Sequence, residues 1–179
     1  MILVEGCDGA GKTTLIRELL HVFNVDVAPR VVEKDTTHSI DLAKWVDENL
    51  AKGFHPTLYD RYRLISEPIY GSVLPRGLAS EFADEEWLNS RLEKLRRIQP
   101  VIIFCQPGLD EVKKNVEHDL DNEVVAPYVD KLYYRYRNTY QHMLKENPYV
   151  VNYHYKVPGT KWSVYEAIGQ RLSRHWNNR

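Results

Sequence analysis

The chain has 179 residues, of which 43% are hydrophobic and 27% charged, a balance typical of a folded soluble domain rather than of a disordered or membrane-spanning chain. Lysine and arginine number 24 against 25 aspartate and glutamate residues, so no positive excess is available for bulk nucleic-acid binding. Two cysteines are too few for a disulfide framework, and the first residues lack the pattern of a signal peptide. We therefore expect one cytoplasmic domain over residues 1–179, without membrane association.

Short apolar runs recur along the chain and alternate with segments of helical periodicity. The runs that predict strands are 2–4, 25–33, 58–60, 101–105 and 149–155. The run 101–105 is continuously apolar, which is typical of a strand buried on both faces. The alternation predicts an α/β fold with a five-stranded, mostly parallel sheet and helices on both faces. In such a fold, ligands bind at the carboxyl ends of the strands.

Capping residues predict where several of the helices begin. Ser39 is expected to cap the helix after the second strand, and Asp84 is expected to open the helix before the fourth strand. Ser163 and Glu166 have the spacing of a capping box, which predicts that the last helix begins there.

Two segments lack regular periodicity. The segment 63–82 contains two prolines and two glycines, which predicts a short helix near Ser66 followed by a loop. The acidic segment at about 117–126 lies between two predicted helices. Irregular segments of this kind often carry function, so both are candidate parts of a site.

The connection between the first strand and the first helix matches the pattern G-x-x-x-x-G-K-[ST] over Gly6, Cys7, Asp8, Gly9, Ala10, Gly11, Lys12 and Thr13, and Thr14 follows. Glycines let the backbone N–H groups wrap a phosphate, and the helix N-terminus adds a positive dipole. Lys12 is expected to neutralise the β- and γ-phosphate oxygens, and the Thr13 hydroxyl to ligate Mg²⁺. A plain strand-to-helix glycine turn would need no Lys-Thr pair, so the motif predicts binding of ATP and Mg²⁺.

A second anchor, Asp60-Arg61-Tyr62, follows the third predicted strand. It should therefore lie at the same sheet edge as the phosphate loop. A carboxylate there can orient magnesium-bound water or take a proton from the acceptor, and a guanidinium can bind a phosphate with two hydrogen bonds. Without the phosphate loop, an Asp-Arg pair after a strand would more often be a turn with a salt bridge.

At these two anchors the sequence resembles the thymidylate kinase family of nucleoside monophosphate kinases. The family pattern E-G-x-D-G-x-G-K-[ST]-T is matched by residues 5–14. The family's D-R-[YH] motif, with a Ser and an aromatic residue shortly after it, is matched by Asp60, Arg61, Tyr62, Ser66 and Tyr70. The resemblance implies a three-layer P-loop NTPase fold with ATP and Mg²⁺ as cofactors. Deoxynucleoside kinases usually carry Glu-Arg-Ser at the second anchor, so the Asp-Arg-Tyr sequence favours a monophosphate acceptor.

The resemblance also implies roles for individual residues. Asp8 would contact the 3′-hydroxyl of the acceptor sugar, and Arg61 would contact the acceptor phosphate. Asp60 would act in the magnesium shell or in the catalytic step. Lys34 stands where the family usually has an arginine that grips the acceptor phosphate. In the broken segment after Arg61, Tyr70 is placed to stack on or wall a nucleobase.

The chain departs from the family in three respects. The fourth predicted strand ends in Gln106, where the family commonly has an acid, so Asp60 is the expected carboxylate on the metal side. The family helix that contacts the thymine base is missing, so the sequence does not predict which base the acceptor carries. The family's catalytic arginine, in the phosphate loop or in a lid, is also missing, because the loop has Gly9 and the lid-like segment at about 117–126 is acidic. The candidate replacements are Arg76, Arg135 and Arg137, each of which could instead be an ordinary surface residue.

Together these features predict an ATP-dependent kinase that transfers the γ-phosphoryl group to a deoxynucleoside monophosphate such as dTMP. The expected partners are small-molecule nucleotides, and a homodimer is compatible with the family. The compact length suggests a pared-down member such as a phage encodes. A deoxynucleoside kinase or a polynucleotide 5′-kinase is the alternative among enzymes, and a nucleotide-binding regulator without catalysis is the alternative outside them.

Overall fold

The computed structural model describes residues 1–28, 41–118 and 124–177. The strands in these ranges are β1 (Ile2–Glu5), β2 (Asp26–Val27), β3 (Thr57–Asp60), β4 (Val101–Cys105) and β5 (Val150–Tyr153). The helices are α1 (Lys12–Phe23), α2 (Leu42–Ala51), α3 (Arg63–Gly71), α4 (Ser80–Ala83), α5 (Glu85–Ile98), α6 (Leu109–Glu117), α7 (Val129–Met143) and α8 (Pro158–Asn177). A 3₁₀ turn at Ala126–Tyr128 leads into α7.

The strands form one parallel sheet in the order β2-β3-β1-β4-β5, with helices on both faces. This confirms the predicted architecture. β1 occupies the centre, where Val4 lies opposite Asp60 of β3 and Glu5 lies opposite Phe104 of β4. The residues that follow β1 and β3 therefore lie side by side at the carboxyl edge of the sheet. All five residues of β4 are buried, as their continuous apolar run predicts.

The helix boundaries follow local capping chemistry in most places. Asp84 accepts a hydrogen bond from the Trp87 amide at 3.0 Å and caps α5, as predicted. Asp41 caps α2 through the Lys44 amide at 2.9 Å, while Ser39 lies outside the described residues.

The predicted start of the last helix is wrong. α8 begins at Pro158, a residue suited to a first helical turn, so Ser163 lies inside the helix and donates to the Gly159 carbonyl. Thr160 stabilises the connection between β5 and α8, because its hydroxyl oxygen accepts a hydrogen bond from the His154 amide at 3.0 Å. The capping-box spacing at 163 and 166 is thus a coincidence of sequence.

The irregular segments are only partly as predicted. The expected short helix near Ser66 is α3, which contains Pro68 and ends at Gly71. The rest of that segment was expected to be a loop, but it also contains the short helix α4. Of the predicted strand 25–33, the described part pairs only at β2, and most of the acidic segment, 119–123, lies outside the described residues. None of the described helices is both long and apolar enough to span a bilayer.

Candidate active site

The phosphate loop is a tight backbone turn between β1 and α1. Gly6 has φ 140° and Gly9 has φ 74°, both in the region that favours glycine. A Cβ atom on Gly6 would lie 2.7 Å from the Cys105 carbonyl oxygen, and one on Gly9 would lie 2.8 Å from the Val112 carbonyl oxygen. Close packing against β4 and α6 therefore requires glycine at these two positions.

Lys12 lies over this loop. Its Nζ donates a hydrogen bond to the Cys7 carbonyl oxygen at 2.7 Å, and only 8% of the residue is exposed. Burial, together with the neighbouring Arg61 charge, lowers the Lys12 pKa. Thr13 and Thr14 follow in the first turn of α1 and are exposed. The Lys12 ammonium group therefore contacts the backbone of the loop, and two threonine hydroxyl groups are exposed to solvent directly after the loop.

Arg61, Asp8 and Tyr70 form a compact polar cluster beside the loop. An Arg61 Nη atom forms an ion pair with Asp8 Oδ1, and the Tyr70 hydroxyl donates to Asp8 Oδ2 at 2.7 Å. The Arg61 guanidinium also lies 4.8 Å from the centroid of the Tyr70 ring. Burial alone would raise the pKa of Asp8, but the charges of Arg61 and Lys12 and the hydrogen bonds from Arg61 and Tyr70 lower it to about 2. The structure therefore brings together three of the residues that the sequence singled out.

Arg61 reaches this cluster because the chain turns sharply at the end of β3. Its φ of 61° is left-handed, which is uncommon for a residue with a side chain. The Arg61 amide still donates to the Val4 carbonyl at 3.0 Å, in the manner of a strand residue. Its Nε atom lies 3.4 Å from the Gly6 carbonyl oxygen. The turn therefore anchors Arg61 to β1 by main chain and to the phosphate loop by side chain.

Asp60 lies on the other face of the sheet from Tyr59, because side chains alternate along a strand. Its Oδ1 atom is buried and has no hydrogen-bond partner among the described residues. Its negative charge acts on Lys12 and raises the Lys12 pKa, against the effect of burial. A buried acceptor without a donor, close to the phosphate loop, fits a water molecule held by a magnesium ion.

The described residues contain no cluster of three or more His, Cys, Asp or Glu side chains arranged to hold a metal ion. Mg²⁺ in a nucleotide site needs no such cluster, because it keeps several waters and takes ligands from phosphates and one or two side chains. The Thr13 hydroxyl and the Asp60 carboxylate are the side chains of this site that could contribute to such coordination.

Other predicted site residues bond to groups outside this cluster, are exposed, or lie outside the described residues. The Ser66 hydroxyl donates to the Tyr62 carbonyl at 3.3 Å within α3, so it is engaged with its own helix. Arg76 binds the fully buried Glu67 carboxylate with two hydrogen bonds, at 2.7 and 2.8 Å. Arg135 is exposed on α7, as is its neighbour Arg137, and Lys34 lies outside the described residues.

The opposite flank of the loop carries two residues that sequence reasoning missed. Asn115 of α6 donates to the Gly9 carbonyl at 2.8 Å, and its Nδ2 atom lies 3.4 Å from the Tyr155 hydroxyl oxygen. The Tyr155 ring lies 3.2 Å from where a Cβ on Gly11 would be, and 38% of the residue is exposed. The only signal in sequence is position, since these residues follow the ends of β4 and β5.

Comparisons with known proteins support the fold. No family model matches the chain, and no curated protein sequence matches it significantly. The solved structure of the YorR protein from Bacillus subtilis, in complex with phosphorylated GDP, has a TM-score of 0.69 at 14% identity and covers 97% of each chain. Deoxyadenosine kinase from M. mycoides with bound dATP has a TM-score of 0.58 at 15% identity, covering 96% of this chain and 98% of that one. At these identities the likeness establishes the fold alone.

Proposed function

We propose that this protein is an ATP-dependent phosphotransferase that moves the γ-phosphoryl group to a small nucleoside or nucleotide, with a nucleoside monophosphate as the preferred acceptor. The observation that carries the proposal is the placement of Asp60 and Arg61 beside the phosphate loop and Lys12 at one sheet edge. Phosphoryl transfer requires positioning and positive charge around both phosphates rather than covalent chemistry from the protein. These residues supply both requirements.

The donor occupies the phosphate loop in this proposal. Backbone N–H groups of the loop and the Lys12 ammonium bind the β- and γ-phosphates. The Thr13 hydroxyl and Asp60, the latter through water, would hold Mg²⁺, which neutralises charge on the transferring phosphoryl group. The side of the loop toward β4 and β5 presents the Tyr155 ring and the Asn115 amide. An aromatic face and an amide suit the base of a nucleotide better than a phosphate.

The acceptor lies on the β3 side, where Arg61, Asp8 and Tyr70 meet. A guanidinium can bind a phosphate with two parallel hydrogen bonds, so an incoming monophosphate competes with Asp8 for Arg61. Once released, the Asp8 carboxylate accepts a hydrogen bond from a sugar hydroxyl, and the Tyr70 ring bounds the pocket. In the transfer itself, an acceptor oxygen bonds to the γ-phosphorus as the bond to the bridging oxygen of ADP breaks.

A deoxynucleoside acceptor is the second candidate. The observation in its favour is that Asp8 already neutralises Arg61 through their ion pair. If Arg61 stays paired with Asp8 when the acceptor binds, its guanidinium group is not available to bind an acceptor phosphate. The acceptor would then be uncharged at its 5′-position, as a nucleoside is.

ADP release from Mg·ATP tests the proposal against a panel of nucleoside monophosphates, nucleosides and a 5′-hydroxyl oligonucleotide. We expect turnover with one or a few monophosphates, a loss of at least about 100-fold in Lys12→Ala, and little change in the matched control Arg17→Ala on the exposed face of α1. Arg61→Ala should lower turnover with monophosphates more than turnover with nucleosides.

Turnover only with nucleosides would favour the second candidate, and turnover only with the oligonucleotide would indicate a polynucleotide kinase. ATP binding without turnover on any acceptor would indicate a regulator.

A further inference from the structure

Glu5 is a fully buried carboxyl group at the end of the central strand β1. It is 0% exposed, and its Oε1 atom accepts a hydrogen bond from the Tyr62 amide at 2.6 Å. Glu5 lies opposite Phe104 in the sheet register, so its side chain is on the face covered by α7, where Tyr136 contacts Phe104. A buried acid at this place needs an explanation, because burying a carboxyl group is unfavourable without compensation.

The unfavourable burial of Glu5 is compensated by its hydrogen bond to the turn that follows β3. The Arg61 amide makes the last main-chain bond to β1, and the next amide, that of Tyr62, bonds to the Glu5 side chain. Between these two bonds Arg61 adopts its left-handed conformation, which is strained for a residue with a Cβ and persists only where the surroundings fix it. The Glu5 carboxyl group therefore fixes the residue that follows Arg61, while the main chain of β1 fixes Arg61 itself.

The charge state of Glu5 suits this task. Burial raises its pKa to about 8, although the Tyr62 amide, Arg61 and Lys12 act in the opposite direction. The carboxyl group is thus mostly protonated at neutral pH. Its Oε2 atom is buried and has no hydrogen-bond partner in the described part of the chain. A glutamine amide has the same shape and the same carbonyl acceptor as the neutral acid.

We propose that Glu5 is a positioning residue for phosphoryl transfer: by binding the Tyr62 amide, it holds the strained turn that follows Asp60 and directs Arg61 toward Asp8. This inference rests on the proposed function for its kinetic consequences. The contact itself does not depend on that function, so it can be tested separately.

Two variants separate the hydrogen bond from the charge. Glu5→Ala removes the acceptor for the Tyr62 amide, whereas Glu5→Gln keeps it. We expect Glu5→Ala to lower kcat/KM for the acceptor at least 50-fold, with less than a threefold change in the KM for ATP, and Glu5→Gln to stay within about fivefold of the wild type. Val101→Ala is the matched control, because it truncates a fully buried side chain at the opposite edge of the sheet. It should lower stability without this selective effect on the acceptor.

Amide hydrogen exchange gives a readout that needs no activity. Tyr62 should exchange at least tenfold faster in Glu5→Ala than in the wild type and should keep its protection in Glu5→Gln and Val101→Ala. If the wild type transfers no phosphoryl group, the proposed function fails, and this exchange pattern alone decides the proposal for Glu5. Unchanged acceptor kinetics in a folded Glu5→Ala, or equal Tyr62 exchange in all variants, would overturn it. A Glu5→Gln variant as impaired as Glu5→Ala, with Tyr62 still protected, would also overturn it.

Discussion

The ion pair between Asp8 and Arg61 predicts how the protein responds to acid. The pKa of Asp8 is about 2 in the folded protein, against an ordinary value of 3.8. At 1.36 kcal/mol for each pKa unit, this difference corresponds to about 2 kcal/mol of stability. Because the folded pKa is the lower one, the contribution is complete above about pH 4. It is lost as the pH falls toward 2 and the carboxylate takes up its proton.

Replacing Asp8 with asparagine removes this titration. We expect Asp8→Asn to lower the free energy of unfolding by about 2 kcal/mol at pH 7, and the two proteins to converge as the pH approaches 2. Urea unfolding followed by tryptophan fluorescence at pH 7, 5, 4, 3 and 2 measures both quantities. Asp26→Asn, on the exposed strand β2, is the control. A difference that stays constant from pH 7 to pH 2, or no difference at pH 7, would refute the electrostatic account of this cluster.

Three further predictions concern packing and buried charge. Gly9→Ala should abolish ATP binding measured by calorimetry, because its Cβ would collide with Val112 and its φ of 74° disfavours a side chain; ATP binding of wild-type strength would contradict this. Arg76→Ala should lower the free energy of unfolding in urea by about 2 kcal/mol, since the buried Glu67 carboxylate loses two hydrogen bonds and keeps the ion pair with Arg63 at 3.6 Å; an unchanged free energy of unfolding would show that the pair is not stabilising. The raised pKa of Glu5 predicts that stability falls as pH rises from 4.5 to 8 and that Glu5→Gln removes this fall; identical pH profiles would exclude it.

The phosphate loop and the sheet were predictable because their signals are local or periodic. The loop motif specifies its own backbone conformation and its place between a strand and a helix. The strand β4 is apolar throughout because both of its faces are covered. The alternation of strands and helices predicts a parallel sheet, and from that sheet the sequence correctly predicts that the residues after β1 and β3 meet at one edge.

Features that depend on distant partners were not predictable. The segment containing Arg76 is rich in proline and glycine, but nothing local shows that Glu67, nine residues earlier, is buried and binds it. Glu5 directly precedes the loop motif, yet its hydrogen bond to Tyr62 spans 57 residues and exists only in the folded sheet. Tyr155 reaches the loop through the pairing of β4 with β5, which its own surroundings in sequence do not indicate.

The start of α8 shows the opposite error, in which a local signal misleads. The spacing of Ser163 and Glu166 satisfies a capping box, but Pro158 and the Thr160 hydroxyl supply an earlier start. A helix begins where its first unsatisfied amides find partners, and competing candidates a few residues apart cannot be ranked without the tertiary contacts.

The fate of the γ-phosphoryl group tests the central claim most directly. The protein is incubated with Mg²⁺, ATP labelled with ¹⁸O in the γ-phosphoryl group and the best acceptor of the panel, and the products are identified by mass spectrometry. The account predicts that the label appears in the phosphorylated acceptor, in an amount equal to the ADP formed, and that Lys12→Ala abolishes the transfer. Label found only in inorganic phosphate, or retained in ATP with every acceptor, would contradict it.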